Sequence, residues 1–151
     1  MRRLVLFILV VALAATLVVA LRPSTPARTF DAYELKAKDT AESVLSSVQT
    51  ARLVSHAATG GRAFGPYVSV MLSESETAIG EASSTFAGLQ PPDDRAGGLR
   101  DELTRLVGRG EELVSQLRIS ARRGELSVLQ RQAKPLARVA AELERFTEAH
   151  G

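Results

Sequence analysis

Residues 30–59 read FDAYELKAKDTAESVLSSVQTARLVSHAAT, and this stretch decides the fold class. Small apolar residues recur in it at alternating spacings of four and three, a period typical of helices that pack along a seam. The seam consists of Ala37, Ala41, Val44, Val48, Ala51, Ser55 and Ala58. Gly60 and Gly61 follow, and glycine commonly ends a helix. The stretch therefore predicts one long amphipathic helix, helix A, from about Phe30 to Thr59.

A second helix is predicted after a short turn. Helix B begins near Pro66, because proline suits the first position of a helix, and it ends at Gly88 before Pro91 and Pro92. Its apolar residues repeat the spacing of helix A. The predicted seam is Val68, Met71, Ser75, Ala78, Ala82 and Phe86 or Leu89.

Helix C is predicted from about Ala96 to Arg123, where Gly124 ends it. Its apolar residues again recur at spacings of three and four, so they fall on one face. The predicted seam of helix C is Leu99, Leu103, Leu106, Gly110, Leu113 and Leu117.

Helix D is predicted from about Ser127, where the pattern Ser127-x-x-Gln130 resembles a capping box. Pro135 interrupts this helix, because proline lacks the backbone N–H that the helix ladder needs. The predicted seam is Leu129, Ala133, Leu136, Ala140 and Leu143, with Phe146 nearby.

The four helices predict an all-α fold for residues 29–151, an antiparallel up-down-up-down four-helix bundle with short turns. No stretch of this region shows the alternation of a β-strand. We call the end with the A–B and C–D turns the tip, and the opposite end, where helix A begins, the base. The alternative is a long helical hairpin that dimerises to complete its core.

A hydrophobic run, Leu4 to Leu21, precedes this region and contains one polar residue, Thr16. Eighteen helical residues at ~1.5 Å each extend ~27 Å, close to the ~30 Å hydrocarbon core of a bilayer. Residues 1–21 are therefore predicted to be a transmembrane signal-anchor, and residues 22–28 a proline-rich linker. The alternative is a secretory signal cleaved after Ala20 or Ala27.

The charges beside the apolar run favour one orientation. Arg2 and Arg3 lie on its N-terminal side, whereas Arg22 and Arg28 on the other side are offset by Asp31. We therefore expect a single-pass protein of the cell membrane, with residues 29–151 outside the cytoplasm. Cleavage of the signal would instead give a secreted soluble bundle.

The composition excludes several classes of function. The 151 residues include 19 Lys and Arg against 17 Asp and Glu, a near-balance that argues against nucleic-acid binding. The absence of cysteine excludes disulfides and a thiol nucleophile. Neither a nucleophile-elbow motif nor a Walker phosphate loop occurs, so no catalytic residue and no enzymatic activity are predicted.

A metal or cofactor is not expected either. The two histidines, His56 and His150, fall near opposite ends of the predicted bundle. A haem would need two axial ligands at one level, and a di-iron site would need paired Glu-x-x-His motifs.

Arginine outnumbers lysine 16 to 3. Four short stretches, given at the end of this paragraph, add to the same resemblance. Together with the predicted anchor, the arginine excess and these stretches resemble those of uncharacterised single-pass, membrane-anchored helical proteins of high-GC Gram-positive bacteria. The resemblance spans the whole chain but implies no activity. The predicted bundle also resembles, in shape only, the extracytoplasmic sensor bundles of chemoreceptors. The four stretches are Gly61-Arg62, Pro66-Tyr67, Gln90-Pro91-Pro92 and Leu117-Arg118-Ile119.

Basic and aromatic residues from three predicted helices converge at the tip. Guanidinium groups suit phosphate and carboxylate ligands, so this cluster is a candidate site for an anionic ligand. The alternative is that these cations only complement the carboxyl ends of helices. The candidate residues are Arg52, His56, Arg62, Tyr67, Arg118, Arg122 and Arg123.

Gly110 and Pro135 are predicted to lie at one level of the bundle, near Ser75. A glycine, a serine and a proline kink at one level predict either a small cavity or hinge, or a close approach of the helices.

Together these features predict a non-enzymatic, membrane-anchored bundle that binds another component of the cell envelope, either a protein or an anionic polymer. The alternative is a sensor-like bundle that binds a small anionic ligand through the tip cluster.

Overall fold

The computed structural model describes residues 29–150, and this part of the chain is all-helical. It contains four helices, the last of which is divided in two, so the predicted all-α class is confirmed there. The segments are α1 (Phe30–Thr59), α2 (Gly65–Ala87), α3 (Asp94–Arg122), α4 (Leu126–Ala133) and α5 (Leu136–Ala149). No helix among these is long and apolar enough to cross a bilayer. The predicted anchor and linker lie outside the described residues.

Side-chain caps fix where two of the helices begin. The hydroxyl of Thr29 accepts a hydrogen bond from the N–H of Ala32 at 3.3 Å, and the carboxylate of Asp93 accepts one from Ala96 at 2.8 Å. Both bonds satisfy an N–H group that has no partner within the first turn of a helix. Because Asp93 is the cap, α3 begins at Asp94, two residues earlier than predicted.

Glycine ends α1 at the tip as predicted. The φ of Gly61 is +67°, and the N–H of Arg62 donates to the carbonyl of Ala57 at 2.9 Å. This arrangement returns the chain tightly after the last helical turn, and a left-handed residue makes it possible. Gly124, with a φ of +70°, ends α3 in the same way.

The start of helix D differs from the prediction. Its first segment, α4, begins at Leu126 after Glu125, and neither Glu125 nor Ser127 provides a side-chain cap. The predicted capping box is therefore wrong, because the turn at Gly124 makes Glu125 the N-cap, two residues before Ser127. The predicted interruption at Pro135 is confirmed, and it separates α4 from α5.

Contacts between helix ends establish the directions of packing. Tyr33, early in α1, packs on Phe86 at the end of α2, and the carboxylate of Glu34 lies 2.8 Å from Nδ1 of His150 after α5. Helix α1 therefore runs antiparallel to both α2 and α5. Helix α3 packs against every other helix, whereas α2 touches neither α4 nor α5 in the described structure. The helices α1 and α3 therefore contact each other across the middle of the bundle, and they separate α2 from α4 and α5.

The core follows the predicted seam closely in α1. All seven predicted residues are buried there, together with Tyr33 and Val54. The small size of the alanines lets the neighbouring helices pack closely against α1. Apolar residues of all the other helices contribute to one continuous core.

The predicted seams of the other helices need three corrections. In α2 the predicted Val68, Ser75 and Phe86 are buried. Leu72 and Ile79 are buried in place of Met71, which is half-buried, and Ala78, which is exposed. Burying Leu72 and Ile79 in place of Met71 and Ala78 removes more apolar surface from water, because isoleucine is larger than alanine and leucine is less flexible than methionine.

In α3 the core residue is Val114, and the neighbouring Leu113 is half-buried. Two predicted alanines, Ala82 and Ala133, are also only half-buried.

Gly110 marks a close approach of helices. A Cβ atom at this position would lie 3.4 Å from Val48 of α1 and 3.7 Å from Val139 of α5. Of the two predictions for this level, the structure therefore supports close packing at Gly110 and not a cavity.

Ser75 is also buried, and its hydroxyl donates to the carbonyl of Met71 at 2.9 Å. The neighbouring Glu76 pairs with Arg118, eight residues after Gly110, so the predicted common level of Ser75 and Gly110 is not supported.

Candidate functional site at the tip

The seven residues predicted at the tip do not form one site. Arg52 and His56 line a groove between α1 and the α4–α5 break. Arg118 pairs with a carboxylate of α2, and Arg122 lines a smaller groove between α2 and α3. The remaining three, Arg62, Tyr67 and Arg123, are exposed to solvent.

Arg118 forms an ion pair with Glu76 that joins α3 to α2, and both side chains are half-buried. Burial raises the pKa of Glu76, but hydrogen bonding by Arg118 and the charges of Arg118 and Arg122 lower it by more. The pKa of Glu76 therefore lies below its ordinary value of 4.5. Arg118 is accordingly neutralised within the bundle, which removes it from the set of cations available to a ligand.

Arg122 lies close to this pair at the end of α3. It lines a groove of about 240 Å³ with Val70 and Glu74 of α2. This groove has one cation and one carboxylate, so it carries little net charge.

Large apolar side chains are exposed at the tip, which the sequence analysis did not predict. Five of them, which we call the apolar tip residues, lie at the helix ends that form the tip. Phe64 has 69% of its surface exposed, and its ring centroid lies 6.0 Å from that of Tyr67. The apolar tip residues are Phe64, Tyr67, Val70, Ile119 and Leu126.

A signal for these residues is present in the sequence. Phe64, Tyr67 and Val70 are spaced by three, which places them along one side of the first turns of α2. The buried seam of the same helix starts at Val68. The seam alone supplies the apolar residues that α2 buries in the core. A second row of apolar residues beside the seam is therefore expected to remain exposed.

The groove between α1 and the α4–α5 break, which we call the α1–α4 groove, has a volume of about 510 Å³. Arg52 and His56 line it from α1, and Gln130 and Lys134 line it from the other side. Ser55 also lines it, and the hydroxyl of this buried residue has no hydrogen-bond partner in the part of the chain that the structure describes. The predicted tip cluster contains Arg52 and His56 but not Ser55, Gln130 or Lys134.

The break at Pro135 explains where this groove lies. Lys134 closes α4 with a long bond of 3.4 Å from its N–H to the carbonyl of Arg131, and Pro135 has no N–H to donate. Ala133 and Ala137 flank the break and line the groove with small side chains. The proline therefore creates the concavity next to Ser55, at a different position from the predicted cavity at Gly110.

No group of three metal-binding side chains comes together within residues 29–150. No protein-family model, curated protein or solved structure matches this chain. The tip is therefore interpreted from its own residues.

Proposed function

We propose that this protein is a non-enzymatic, membrane-anchored helical bundle whose tip binds another component of the cell envelope. In this proposal residues 4–21 span the cell membrane, and residues 29–151 lie outside the cytoplasm. The observation that carries it is the concentration of exposed apolar side chains at the tip. Of the seven large apolar side chains exposed in the described structure, five are the apolar tip residues.

The other two exposed apolar residues lie outside this group. Leu53 borders the α1–α4 groove, and Leu35, which is 56% exposed, lies near the base. A single exposed leucine is ordinary for a protein surface. Several exposed apolar residues at one end, including two neighbouring aromatic rings, are typical of the anchors of a protein interface.

The charges around the apolar tip residues favour an acidic partner. Three arginines are exposed at the tip, against two exposed carboxylates, so the net charge there is positive. The arginines are Arg62, Arg122 and Arg123, and the carboxylates are Glu74 and Glu125. Arginine is enriched at protein interfaces because its planar head both stacks and forms paired hydrogen bonds. We therefore favour an envelope protein with an apolar patch and acidic residues around it over a purely anionic polymer.

The length of the bundle suits this role. The 30 residues of α1 extend ~45 Å at ~1.5 Å per residue, so they separate the tip from the base by that distance. With an anchor preceding α1, the base would face the bilayer and the tip would project away from it. A partner in the envelope could then reach the tip without contacting the membrane.

Photocrosslinking in intact cells tests the proposal. A photoreactive amino acid is placed either at Val70, which is 54% exposed, or at Leu35, which is 56% exposed. We expect a discrete crosslinked species from Val70 only, and we expect Phe64→Ala with Tyr67→Ala to reduce it. Equal crosslinking from Leu35, or an adduct that this double variant leaves unchanged, would overturn the proposed role of the tip.

The mass of the crosslinked species identifies the kind of partner. A species with twice the mass of the chain would show a homodimer in place of an envelope partner. A species of another mass that contains peptides of a second protein would support the proposal.

Two measurements test the anchor and its orientation. Protease treatment of intact cells should digest residues 29–151, and protection in intact cells with digestion after lysis would contradict the outside location. The intact mass of the purified protein should correspond to the full chain. A mass that begins at Leu21 or Arg28 would instead show a secreted soluble bundle.

A further inference from the structure

The α1–α4 groove differs from the other grooves of the bundle in its charge. Arg52 lines it from α1 and Lys134 lines it from the α4–α5 break, with His56 beside Arg52. No acidic side chain of residues 29–150 lines this groove. Within the described part of the chain, neither Arg52 nor Lys134 forms an ion pair. The groove is therefore a concave region with positive charge on two walls.

A groove near the base provides the contrast. It is lined by Arg105, Arg109 and Arg145, but Glu102 and Glu142 line it too. Arg109 forms an ion pair with Glu142 there. The cations of the basal groove are therefore balanced by carboxylates of the protein, whereas those of the α1–α4 groove are not.

Ser55 gives an independent reason to expect a ligand. The residue is 1% exposed, and its hydroxyl has no hydrogen-bond partner within residues 29–150. A hydroxyl removed from water without a partner is unfavourable, so buried polar groups are nearly always satisfied. Because Ser55 also lines the groove, a ligand oxygen bound there can accept the missing hydrogen bond.

The surrounding residues suggest what else the ligand has. Gln130 adds an amide group, and Leu53, Ala133 and Ala137 add apolar surface. Leu53 is 69% exposed, so an apolar group can reach it from solvent. A volume of about 510 Å³ is sufficient for a small molecule and not for a folded partner.

We propose that the α1–α4 groove is a binding site for a small molecule with one oxyanion group, either a carboxylate or a phosphate. Arg52 and Lys134 bind the oxyanion from two sides, and the hydroxyl of Ser55 donates to one of its oxygens. A short apolar part of the ligand packs on Ala133, Ala137 and Leu53. This site is separate from the apolar tip residues, and it does not depend on the proposed envelope partner.

Calorimetric titration of the full-length chain in neutral detergent micelles tests the site. The probes are inorganic phosphate, acetate and hexanoate, with chloride at the same ionic strength as the reference. We expect saturable binding of one anion per chain for at least one probe. Stronger binding of phosphate indicates a phosphate ligand, and stronger binding of hexanoate than acetate indicates a carboxylate with an apolar part.

Three variants locate the binding. Ser55→Ala and Lys134→Gln should each weaken it by about tenfold, since each removes a hydrogen bond to a charged group. Arg131→Gln is the matched control, because Arg131 is an exposed cation of α4 that does not line the groove. This control should bind as the unmodified protein does.

The stability of Ser55→Ala without ligand provides a second readout. Its melting temperature should equal or exceed that of the unmodified protein, because the variant lacks the unpartnered hydroxyl. If it does not fold, Lys134→Gln decides the test, since Lys134 is exposed and its loss leaves the core intact.

Two results would overturn the proposal. One is the absence of saturable binding for all three probes. The other is binding that Ser55→Ala and Lys134→Gln leave as strong as in the Arg131→Gln control. Neither result bears on crosslinking from Val70, so failure of this site and failure of the proposed tip function are distinguishable.

Discussion

The two ends of the bundle use aromatic residues in opposite ways. At the base, Tyr33 and Phe86 are buried with ring centroids 5.3 Å apart, and the guanidinium of Arg95 lies 3.8 Å above the ring of Phe30. At the tip, the ring of Phe64 is mostly in solvent. The base is therefore completed by its own residues, whereas the tip keeps apolar surface that the fold does not use.

Polar contacts complete the base in a similar way. Glu34 holds His150 at 2.8 Å, and the guanidinium of Arg100 donates to the carbonyl of Ala87 at 3.0 Å. These contacts join α1 to the end of α5 and α3 to the end of α2. Tip residues just below the surface, such as Leu129, are as buried as those of the base. The exposure at the tip is therefore confined to its surface and does not reflect a loose core.

The largest expected effect contrasts the two ends directly. Phe86→Ala at the base should lower the free energy of unfolding by about 3–5 kcal/mol, because it removes a buried ring from the core. Phe64→Ala at the tip should change it by less than about 0.5 kcal/mol, as surface substitutions generally do. Urea unfolding of both variants gives the comparison, and similar losses would contradict the asymmetry between the ends.

The next prediction concerns the core beneath the tip. Leu129→Ala should cost about 2–5 kcal/mol, because Leu129 is fully buried. Leu126→Ala, three residues earlier and 52% exposed, should cost less than about 1 kcal/mol. The midpoints of urea unfolding measure both, and a small loss for Leu129→Ala would show that the tip is not packed as described.

A smaller effect is expected from the ion pair that joins α2 to α3. Glu76→Gln should cost about 1 kcal/mol near neutral pH, since partly exposed pairs contribute little. Because the pKa of Glu76 is lowered in the folded protein, this contribution is present above its ordinary value of 4.5 and is lost as the pH falls through the lowered value. Unfolding of both proteins across acidic pH measures the difference, and a difference that grows toward low pH would refute the assignment.

The smallest effects come from two buried hydroxyls that have no hydrogen-bond partner among residues 29–150, those of Tyr33 at the base and Ser55 near the tip. Burial raises the pKa of Tyr33, consistent with its hydroxyl being removed from water. Tyr33→Phe should stabilise the protein by up to about 1 kcal/mol, whether or not an anion is present. Ser55→Ala should stabilise only the ligand-free protein. Thermal unfolding without anion and with phosphate, acetate or hexanoate separates the two variants. If both respond equally to every anion, Ser55 does not differ from Tyr33 in contacting a ligand.

The sequence predicts the helices well because their boundaries depend on local chemistry. Thr59 ends α1 before paired glycines, and Pro135 divides helix D, as expected from residues next to each break. The seam of α1 is also predictable, since its small residues leave one possible face. The alternation of α2 fits two neighbouring registers, and only packing against α1 and α3 selects Leu72 over Met71.

The candidate site is less predictable, because it depends on contacts between helices. Arg118 and Arg52 are both arginines near a predicted tip, but only the packing of α2 gives Arg118 its partner Glu76. Lys134 becomes part of a groove because the break at Pro135 lies opposite Ser55. Neither relation follows from spacing within one helix.

Oxidative footprinting of the protein in its native membrane, compared with the purified chain, tests the central claim most directly. Hydroxyl radicals modify exposed side chains, and Leu35 at the base provides the internal reference. We expect Phe64, Tyr67 and Val70 to react less in the membrane than in the purified protein, while Leu35 reacts equally in both. Protection of Leu35 with unchanged reactivity at the tip would contradict it.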